Sequence, residues 1–174
     1  MKIDPIKNGI VIDHIEAGKG MILAINKWDL IENKESNTIN KFEKEIEREM
    51  PFLSFVPKIF ISAKTKQRLV NIYKLSKEVY EQCTKRVSTS ILNKVLLEAM
   101  AMNPPSTKRG KKLRVYYATQ VRTAPPTFIL FVNDEDLVQE SYKRYLENKM
   151  REAFGFFGTP IKMSFRERKE KGNN

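Results

Sequence analysis

Two predicted strands with an amphipathic helix between them constrain the fold of this chain more than any other feature. The strands are Met21–Ile25 and Lys58–Ile61, whose apolar runs are typical of strands buried on both faces of a parallel sheet. The helix between them carries an apolar stripe at near-helical spacing: Ile39, Phe42, Ile46 and Met50. A second helix follows, with these apolar side chains on one side: Leu69, Ile72, Tyr73, Val79 and Tyr80. The order strand, helix, strand, helix with short links predicts that the two strands are parallel.

The residues that directly follow the first strand are Asn26-Lys27-Trp28-Asp29. They have the form N-K-x-D, the guanine-reading signature of Ras-like GTPases. An ionised Asp29 is able to accept two hydrogen bonds from the N1–H and 2-amino groups of guanine, whereas adenine would leave the carboxylate unpaired. The Lys27 stem is able to lie along the base plane, and Asn26 to bond the base and brace neighbouring loops. Trp28, at the variable position, is predicted to pack in the core.

A second polar motif, Ser62-Ala63-Lys64, directly follows the second strand. Because ligands of open α/β sheets bind beyond the carboxyl ends of the strands, we expect both motifs to contribute to one site. The Ala63 backbone N–H is predicted to meet the guanine O6, Ser62 to brace the Asp29 loop, and Lys64 to pack over the base. The alternative is that both motifs are ordinary polar residues at strand ends.

The phosphate-binding motifs of a GTPase do not occur in the sequence. It contains no G-x-x-x-x-G-K-[ST] loop, and no D-x-x-G precedes Asn26. Phosphoryl transfer depends on groups that position the phosphates and stabilise their charge. We therefore predict no catalytic residue and no metal site, and expect this chain to be inactive alone as a GTPase. Magnesium is expected only in a full-length protein.

The composition changes near residues 84–89, where a polar junction predicts a domain boundary. We predict domains at 1–84 and 85–170 and a disordered tail at 171–174. The formal net charge is +11: the first 84 residues hold 14 basic and 12 acidic side chains, and the rest of the chain holds 18 and 9. A basic half beside a near-neutral half favours a polyanion partner, although a generally basic proteome would give the same excess.

The second domain follows the order helix, strand, strand, helix, strand. Its long second helix is predicted over Asp134–Phe154, and alternation predicts strands within 113–121, 128–132 and 161–165. In the first of these strands the alternation places five side chains on one face: Arg114, Tyr116, Ala118, Gln120 and Arg122. The order α-β-β-α-β predicts a small sheet with helices packed on one face.

Basic residues of the second domain are candidates for contacts to RNA phosphates, and a tyrosine beside them is a candidate for stacking on a base. The candidates are Lys108, Arg109, Lys111, Lys112, Arg114, Tyr116, Arg122, Lys162 and Arg166. The alternative for Tyr116 is that it covers the sheet or packs against another domain. We expect no G-x-x-G clamp of the kind with which KH folds grip nucleic acid.

Several segments resemble one protein family. They are Arg86-Val87-Ser88-Thr89-Ser90, Asn103-Pro104-Pro105, Tyr116-Tyr117-Ala118-Thr119-Gln120, Pro125-Pro126-Thr127-Phe128, Phe131-Val132-Asn133, Tyr142-Lys143-Arg144-Tyr145-Leu146-Glu147-Asn148 and Gly158-Thr159-Pro160-Ile161. With the N-K-x-D and S-A-K motifs, they resemble the C-terminal part of the Der (EngA) GTPases. Residues 1–15 do not resemble the family, and its first GTPase domain and the phosphate-binding half of the second are missing from this sequence.

The resemblance implies an α/β chain in which a partial Ras-like parallel sheet precedes a KH-like domain. It implies that Asn26, Lys27 and Asp29, with Ser62, Ala63 and Lys64, read the guanine of GTP or GDP. It also implies a role in assembly of the large ribosomal subunit, with ribosomal RNA and, in the full-length protein, another GTPase domain as partners.

The alternative function is a non-enzymatic KH-like module that binds ribosomal RNA or protein, with a vestigial GTPase remnant before it. No apolar run in the sequence is long enough to span a bilayer, and the N-terminus lacks the apolar core of a signal peptide. The single cysteine, Cys83, excludes an internal disulfide and fits a reducing compartment, so we expect a cytoplasmic protein.

Overall fold

The computed structural model describes residues 13–108 and 110–168, which form two compact units. Among these residues the first unit comprises 13–83 and Phe156–Pro160, and the second comprises 84–155 and 161–168. The predicted disordered tail lies outside the described residues. No helix in the described part of the chain is both long enough and apolar enough to cross a bilayer.

The helices are α1 (Thr38–Glu49), α2 (Leu69–Thr84), α3 (Thr89–Met102) and α4 (Glu140–Phe154). The strands are β1 (Leu23–Ile25), β2 (Lys58–Phe60), β3 (Thr107–Lys108), β4 (Lys111–Lys112), β5 (Val115–Arg122), β6 (Thr127–Val132) and β7 (Lys162–Glu167). Short 3-10 helices lie at Trp28–Leu30, Pro51–Leu53 and Glu135–Leu137.

The strands β1 and β2 form the parallel pair that the sequence predicts, with Leu23 opposite Lys58. The helix α1 lies in the crossover between them, as a parallel connection requires. The prediction that β1 is buried on both faces is wrong, however, because Ala24 is exposed while Leu23 and Ile25 are only half-buried. A strand is buried on both faces only where other elements cover both, and one face of β1 stays open among the described residues.

The core of the first unit is aromatic, and α1 packs its apolar stripe into it as predicted. Ile46 and Met50 are buried, and Phe42 packs against the same cluster. The Trp28 ring lies 5.7 Å from that of Phe42 and 4.8 Å from that of Phe60, centroid to centroid. The prediction that Trp28 packs in the core is therefore confirmed.

The apolar side chains predicted on one side of α2 differ in burial: some face the core and others face solvent. Val79 is buried and Ile72 is half-buried, whereas Tyr73 and Tyr80 are 78% and 68% exposed. Ile72 and Val79 are seven residues apart, about two turns, and so share a helix face. Each tyrosine follows one of them by a single residue, about 100° around the helix, and this rotation carries it out of the core.

The loop Phe156–Pro160 belongs to the first unit although it lies between α4 and β7 in the sequence. The N–H of Met21 donates to the carbonyl of Gly158 at 2.7 Å, and the N–H of Gly158 donates to the carbonyl of Phe55 at 2.6 Å. Phe156 is fully buried. These long-range contacts have no local sequence signal, and the sequence did not predict them.

The second unit is a three-stranded sheet with β6 in the centre, antiparallel to β5 and parallel to β7. Its core contains the largest fully buried apolar side chains of α3, β6 and α4: Leu92, Leu96, Phe128, Leu130, Leu146 and Met150. Asn93 on α3 donates to the carbonyl of Ala118 at 2.9 Å and accepts its N–H at 2.8 Å, which fixes α3 against β5. The predicted α-β-β-α-β order is confirmed, and the small hairpin β3–β4 is added to it.

Two register shifts in β5 change which face its side chains occupy. They fall between Val115 and Tyr117 and between Gln120 and Arg122. Each shift inserts one extra residue and reverses the alternation beyond it. Ala118 and Gln120 are 0% and 2% exposed, so they lie on the helix-covered face. The predicted single face of five residues is therefore wrong.

The helix predicted over Asp134–Phe154 begins only at Glu140. The Asp134 carboxylate accepts the N–H of Asp136 at 2.9 Å and caps the short 3-10 helix instead. Such local bonds from aspartate compete with continuous helix, which explains the later start. The buried residues of α4 are Tyr142, Leu146 and Met150.

Gly158→Ala is expected to destabilise the first unit. Gly158 has φ +69°, and a Cβ there would lie 2.5 Å from a Val79 methyl and 3.0 Å from the Met21 carbonyl oxygen. The left-handed backbone and the overpacking should together cost about 2–5 kcal/mol of unfolding free energy. Urea unfolding followed by the fluorescence of Trp28, the single tryptophan, measures this cost.

The matched control is Gly110→Ala in the second unit. Gly110 has φ +73°, but nothing lies within 4 Å of an added Cβ. Gly110→Ala should lower the unfolding free energy of the second unit, measured by circular dichroism, by only about 1–2 kcal/mol. The unfolding transition followed by Trp28 fluorescence should not move. An unchanged Trp28 transition in Gly158→Ala would contradict the role of the loop.

Candidate guanine and nucleic-acid sites

The N-K-W-D loop (Asn26–Asp29) and the S-A-K loop (Ser62–Lys64) leave β1 and β2 side by side. The N–H of Ile61 donates to the carbonyl of Ile25 at 2.8 Å, and the N–H of Trp28 donates to the carbonyl of Ile61 at 2.9 Å. These two bonds extend the strand pairing into the loops. Both loops therefore lie at the carboxyl edge of the pair, where α/β sheets bind their ligands.

Asn26 joins the two loops through a single side-chain oxygen. Its Oδ1 accepts the N–H of Lys27 at 2.8 Å and the N–H of Ala63 at 3.0 Å. The predicted bracing role of Asn26 is visible in this geometry. The Ala63 N–H, predicted to meet the guanine O6, is directed at Asn26 in this structure. Contact with a base would require that N–H to be shared or released.

Asp29 is held as a carboxylate by the S-A-K loop. The hydroxyl of Ser62, itself fully buried, donates to Asp29, and this bond is the main reason why the pKa of Asp29 lies below its ordinary value. Desolvation opposes this effect as the second-largest cause, and a backbone hydrogen bond and the cations of Lys64 and Lys34 lower the pKa further. An ionised Asp29 is an acceptor only, which suits an edge that presents two donors.

Two lysines shape the surroundings of the N-K-W-D loop. Lys27 has φ +66°, a left-handed conformation, and its side chain is exposed. The Lys34 ammonium lies 5.7 Å from the centroid of the Trp28 ring, a cation–π distance.

Of the six predicted guanine-reading residues, the structure links Asn26 to Ala63 and Asp29 to Ser62 and Lys64. Lys27 joins this network only through its backbone N–H.

The basic hairpin, β3 and β4, carries three of the predicted RNA-contact residues. Lys111 and Lys112 are exposed, whereas the ammonium of Lys108 donates to the carbonyl of Asp136. Arg109 lies outside the described residues. The hairpin therefore offers two exposed ammonium groups, and Lys108 is partly committed to a contact within the unit.

Arg114 and Tyr116 lie beside a groove of about 450 Å³ next to the hairpin. The groove also contacts Lys112, and its walls are the end of α3, the residues after it and the start of β5: Leu97, Met100, Ala101, Pro104, Pro105, Leu113 and Val115. Tyr116 falls at a register shift, and the Arg168 guanidinium lies 5.4 Å from its ring centroid. Tyr116 is therefore separated from Arg122, with which the sequence grouped it.

The remaining predicted contacts lie on the open face of the three-stranded sheet, opposite the helices. Arg122 and Lys162 both pair in register with Thr127, and Arg166 pairs with Phe131. Tyr117, absent from the predicted contacts, stacks on Phe131 with centroids 4.3 Å apart and an interplanar angle of 16°. The alternation of the sequence alone does not place Tyr117 on the open face. The register shifts in β5 do.

A G-x-x-G sequence does occur, at Gly155–Gly158, which contradicts the expectation that there is none. It does not form an exposed clamp, because Phe156 is fully buried and Gly158 is bonded within the first unit. A clamp needs backbone N–H groups that face solvent and the ligand. The G-x-x-G segment is therefore not a candidate for a nucleic-acid clamp.

Comparisons with known proteins support the same architecture. A family model described as the KH-domain-like of EngA bacterial GTPase enzymes, C-terminal, matches residues 86–166. GTPase Der of Geobacillus sp. (strain WCH70) is 52% identical over 154 residues, 88% of this chain and 35% of that relative. GTPase Der of Leuconostoc citreum (strain KM20) is 53% identical with the same coverage. GTPase Der of Desulfitobacterium hafniense (strain DSM 10664 / DCB-2) is 51% identical over 155 residues, 89% of this chain and 35% of that relative.

The fold and its matched region define a class of protein: a partial Ras-like α/β sheet followed by a KH-like domain. The chain spans about 35% of the length of the curated relatives named above. It belongs to the Der (EngA) GTPase family and corresponds to the part of it that ends in the KH-like domain. The resemblance read from the sequence motifs is confirmed.

A second similarity concerns the beginning of the chain. The allosteric domain of the aspartate carbamoyltransferase regulatory chain matches residues 1–49. The Der relatives align over more residues than follow Glu49, so the two matches overlap. This second match includes residues 1–15, which are expected from the sequence not to resemble the Der family. Residues 1–12 lie outside the described structure.

Ser62→Ala is expected to raise the pKa of Asp29 towards its ordinary value, because it removes the hydrogen bond that lowers this pKa most. The lowered pKa contributes stability above the unfolded pKa, and this contribution is lost as pH falls through the folded pKa. Carboxyl ¹³C chemical shifts of Asp29 across an acid titration measure the change. Ser54→Ala, an exposed serine outside both loops, is the control and should leave the titration unchanged. Identical titrations in wild type and Ser62→Ala would contradict the hydrogen bond.

Proposed function

We propose that residues 1–84 supply the guanine-reading edge of a GTP-binding protein, and that residues 85–170 are a KH-like domain that contacts ribosomal RNA. The whole protein would act in assembly of the large ribosomal subunit. This proposal rests on family membership and on the name of the relatives, GTPase Der. The residues proposed to read guanine are Asn26, Lys27, Asp29, Ser62, Ala63 and Lys64.

The observation that carries the guanine proposal is the pair of links between the two loops. Ser62 holds Asp29 as a carboxylate, and Asn26 holds the Ala63 backbone close to the N-K-W-D loop. A carboxylate fixed in this way can accept the two donors of the guanine edge without first losing conformational freedom. Adenine would leave it unpaired, so the same geometry accounts for base selectivity.

Nucleotide hydrolysis is proposed only for a full-length protein. The sequence has no phosphate-binding loop, and phosphoryl transfer depends on groups that hold the phosphates and magnesium. In a full-length relative, the remaining length would provide these groups and a further GTPase domain. GTP and GDP are the proposed ligands there. This chain alone would bind the base weakly.

A second candidate function is a KH-like module that binds ribosomal RNA without enzymatic activity. It is favoured by the separate buried core of the second unit, which needs no nucleotide to be complete. The basic side chains proposed to contact phosphates are the exposed ones: Lys111, Lys112, Arg114, Arg122, Lys162 and Arg166. A cytoplasmic location is proposed with either function.

Asp29→Ala is expected to abolish the preference for guanine. Hydrogen bonds to a charged group contribute about 1.5–3 kcal/mol, so GMP should bind roughly 10- to 150-fold more weakly to the variant. Trp28 adjoins Asp29 in the chain, so its fluorescence can follow titrations with GMP and AMP. Glu32→Ala, an exposed carboxylate three residues further on, is the control and should retain the preference. Equal affinity for GMP and AMP in the wild type would contradict the guanine proposal.

Hydrolysis of GTP by the chain alone is expected to stay at the rate measured without protein. Phosphate release at saturating GTP and magnesium is the measurement. Hydrolysis above that background, lost in Asp29→Ala, would contradict the proposal that the chain needs further groups for catalysis.

A further inference from the structure

A row of three side chains crosses the open face of the second unit's sheet. Tyr117 on β5 is opposite Phe131 on β6, and Phe131 is opposite Arg166 on β7. The Tyr117 and Phe131 rings are stacked, 4.3 Å apart and nearly parallel. Neighbouring strands lie about 4.8 Å apart, so Arg166 lies roughly 10 Å across the sheet from Tyr117. The row places a cation within reach of a ligand that contacts the rings.

The Tyr117 ring has one face available for a ligand. Phe131 covers the other face, and β5 is an edge strand in the described part of the chain, so no described strand lies beyond Tyr117. The side chain is 43% exposed. Stacking on Phe131 also restricts the ring before any ligand arrives, which lowers the entropy that binding must overcome.

Within the described residues, the exposed charged side chains of the open face are all cationic. Arg122, Lys162 and Arg166 are exposed, and none of them forms an ion pair within residues 13–108 and 110–168. The strands β5 and β6 contain no acidic residue, and Glu167 of β7 is opposite Val132, on the helix-covered side. Lys162 and Arg166 are four residues apart on one strand, a separation of roughly 13 Å.

Stacked rings beside unpaired cations fit a single-stranded nucleic acid better than other polyanions. Its bases have π faces that stack on aromatic rings, and its phosphates need cations at intervals along the strand. An acidic peptide would use the cations but not the free face of the tyrosine. A duplex would present its phosphates while its bases remain paired and inaccessible.

We propose that the open face of the sheet is a platform for single-stranded RNA, on which a base stacks on Tyr117 while Arg166 and Lys162 contact phosphates. This inference rests on the RNA-binding part of the proposed function and names its site. Arg122, at the other end of β5, lies across β6 from Lys162 and adds a further cation to the platform. The platform is separate from the basic hairpin and from the groove beside Tyr116.

The test is binding of the full 174-residue chain to a fluorescein-labelled oligoadenylate of twelve nucleotides, followed by fluorescence anisotropy. Tyr117→Ala should weaken binding roughly 5- to 150-fold, because stacking contributes about 1–3 kcal/mol per base. Tyr117→Phe keeps the ring and should bind within about twofold of the wild type. Thermal unfolding by circular dichroism establishes that each variant is folded.

Two further tyrosines provide comparisons. Tyr116→Ala removes the adjacent tyrosine, which is 45% exposed, almost the same as Tyr117, but lies at the groove. Tyr73→Ala removes a more exposed tyrosine from the first unit. Both should bind within about twofold of the wild type. A larger loss in Tyr116→Ala than in Tyr117→Ala would overturn the platform and place the stacked base at the groove.

The phosphate contacts are tested by salt. Each phosphate contact adds about 0.7 to the slope of log affinity against log salt for single strands, so Arg166→Gln and Lys162→Gln should each lower that slope by about 0.7. A duplex of the same strand should bind more weakly and show no dependence on Tyr117. Tight duplex binding, equal to that of the single strand, would overturn the stacking role.

Failure of the platform and failure of the proposed function give different results. If the wild type binds RNA with a steep salt dependence but Tyr117→Ala is unchanged, the platform is wrong and the RNA-binding function stands. If the wild type binds neither the single strand nor the duplex, both the platform and the RNA-binding function are wrong.

Discussion

The parallel pairing of β1 with β2 is the constraint on which the first unit and its candidate site depend. It brings two loops together that are more than thirty residues apart in the chain, and Asn26 closes the junction by accepting a backbone N–H from each loop. Without that pairing Ser62 would not reach Asp29, and the hydrogen bond that lowers the pKa of Asp29 most would be lost. The aromatic core around Trp28 lies directly behind the site, so the same packing that stabilises the unit positions the carboxylate. A loop from far along the chain, Phe156–Pro160, completes this unit with backbone hydrogen bonds.

The second unit is stabilised differently. Its sheet is buried on one face by α3 and α4, and hydrogen-bonded amide side chains fix the helices and connections to it. Asn93 pairs with the backbone of Ala118, and Gln120, 2% exposed, accepts the N–H of Val87 and donates to the carbonyl of Lys85. A buried amide such as Gln120 is costly unless it is bonded, and the half-buried Asn93 adds two bonds that favour a single arrangement of α3 and β5. The other face carries the exposed cations Arg122, Lys162 and Arg166, although Ile129 at its centre is only 9% exposed. The unit thus separates a face that determines stability from a face available for binding.

Much of this architecture could be predicted from the sequence, because the signals involved are local. The stripe of α1, the parallel strands and the α-β-β-α-β order follow from periodicity, and the two loop motifs follow their strands directly. The errors share one physical origin, which is that periodicity does not encode what covers a face. Tyr73 and Tyr80 fit the apolar pattern of α2 and yet are exposed, and Ala24 is exposed because one face of β1 is not covered. The register shifts in β5 reverse the alternation of its side chains. The Asp134 cap likewise delays α4 through a bond that a helical stripe cannot reveal.

The sequence by itself determined the family, the order of the elements and the two loops proposed to read guanine, since each is written in contiguous residues. Only the tertiary structure decided which side chains meet. It paired Ser62 with Asp29, directed the Ala63 N–H to Asn26, buried Phe156 within the G-x-x-G segment and stacked Tyr117 on Phe131. The physical reason is that register and burial arise from contacts between distant segments. A single bulged residue is enough to move every following side chain to the opposite face.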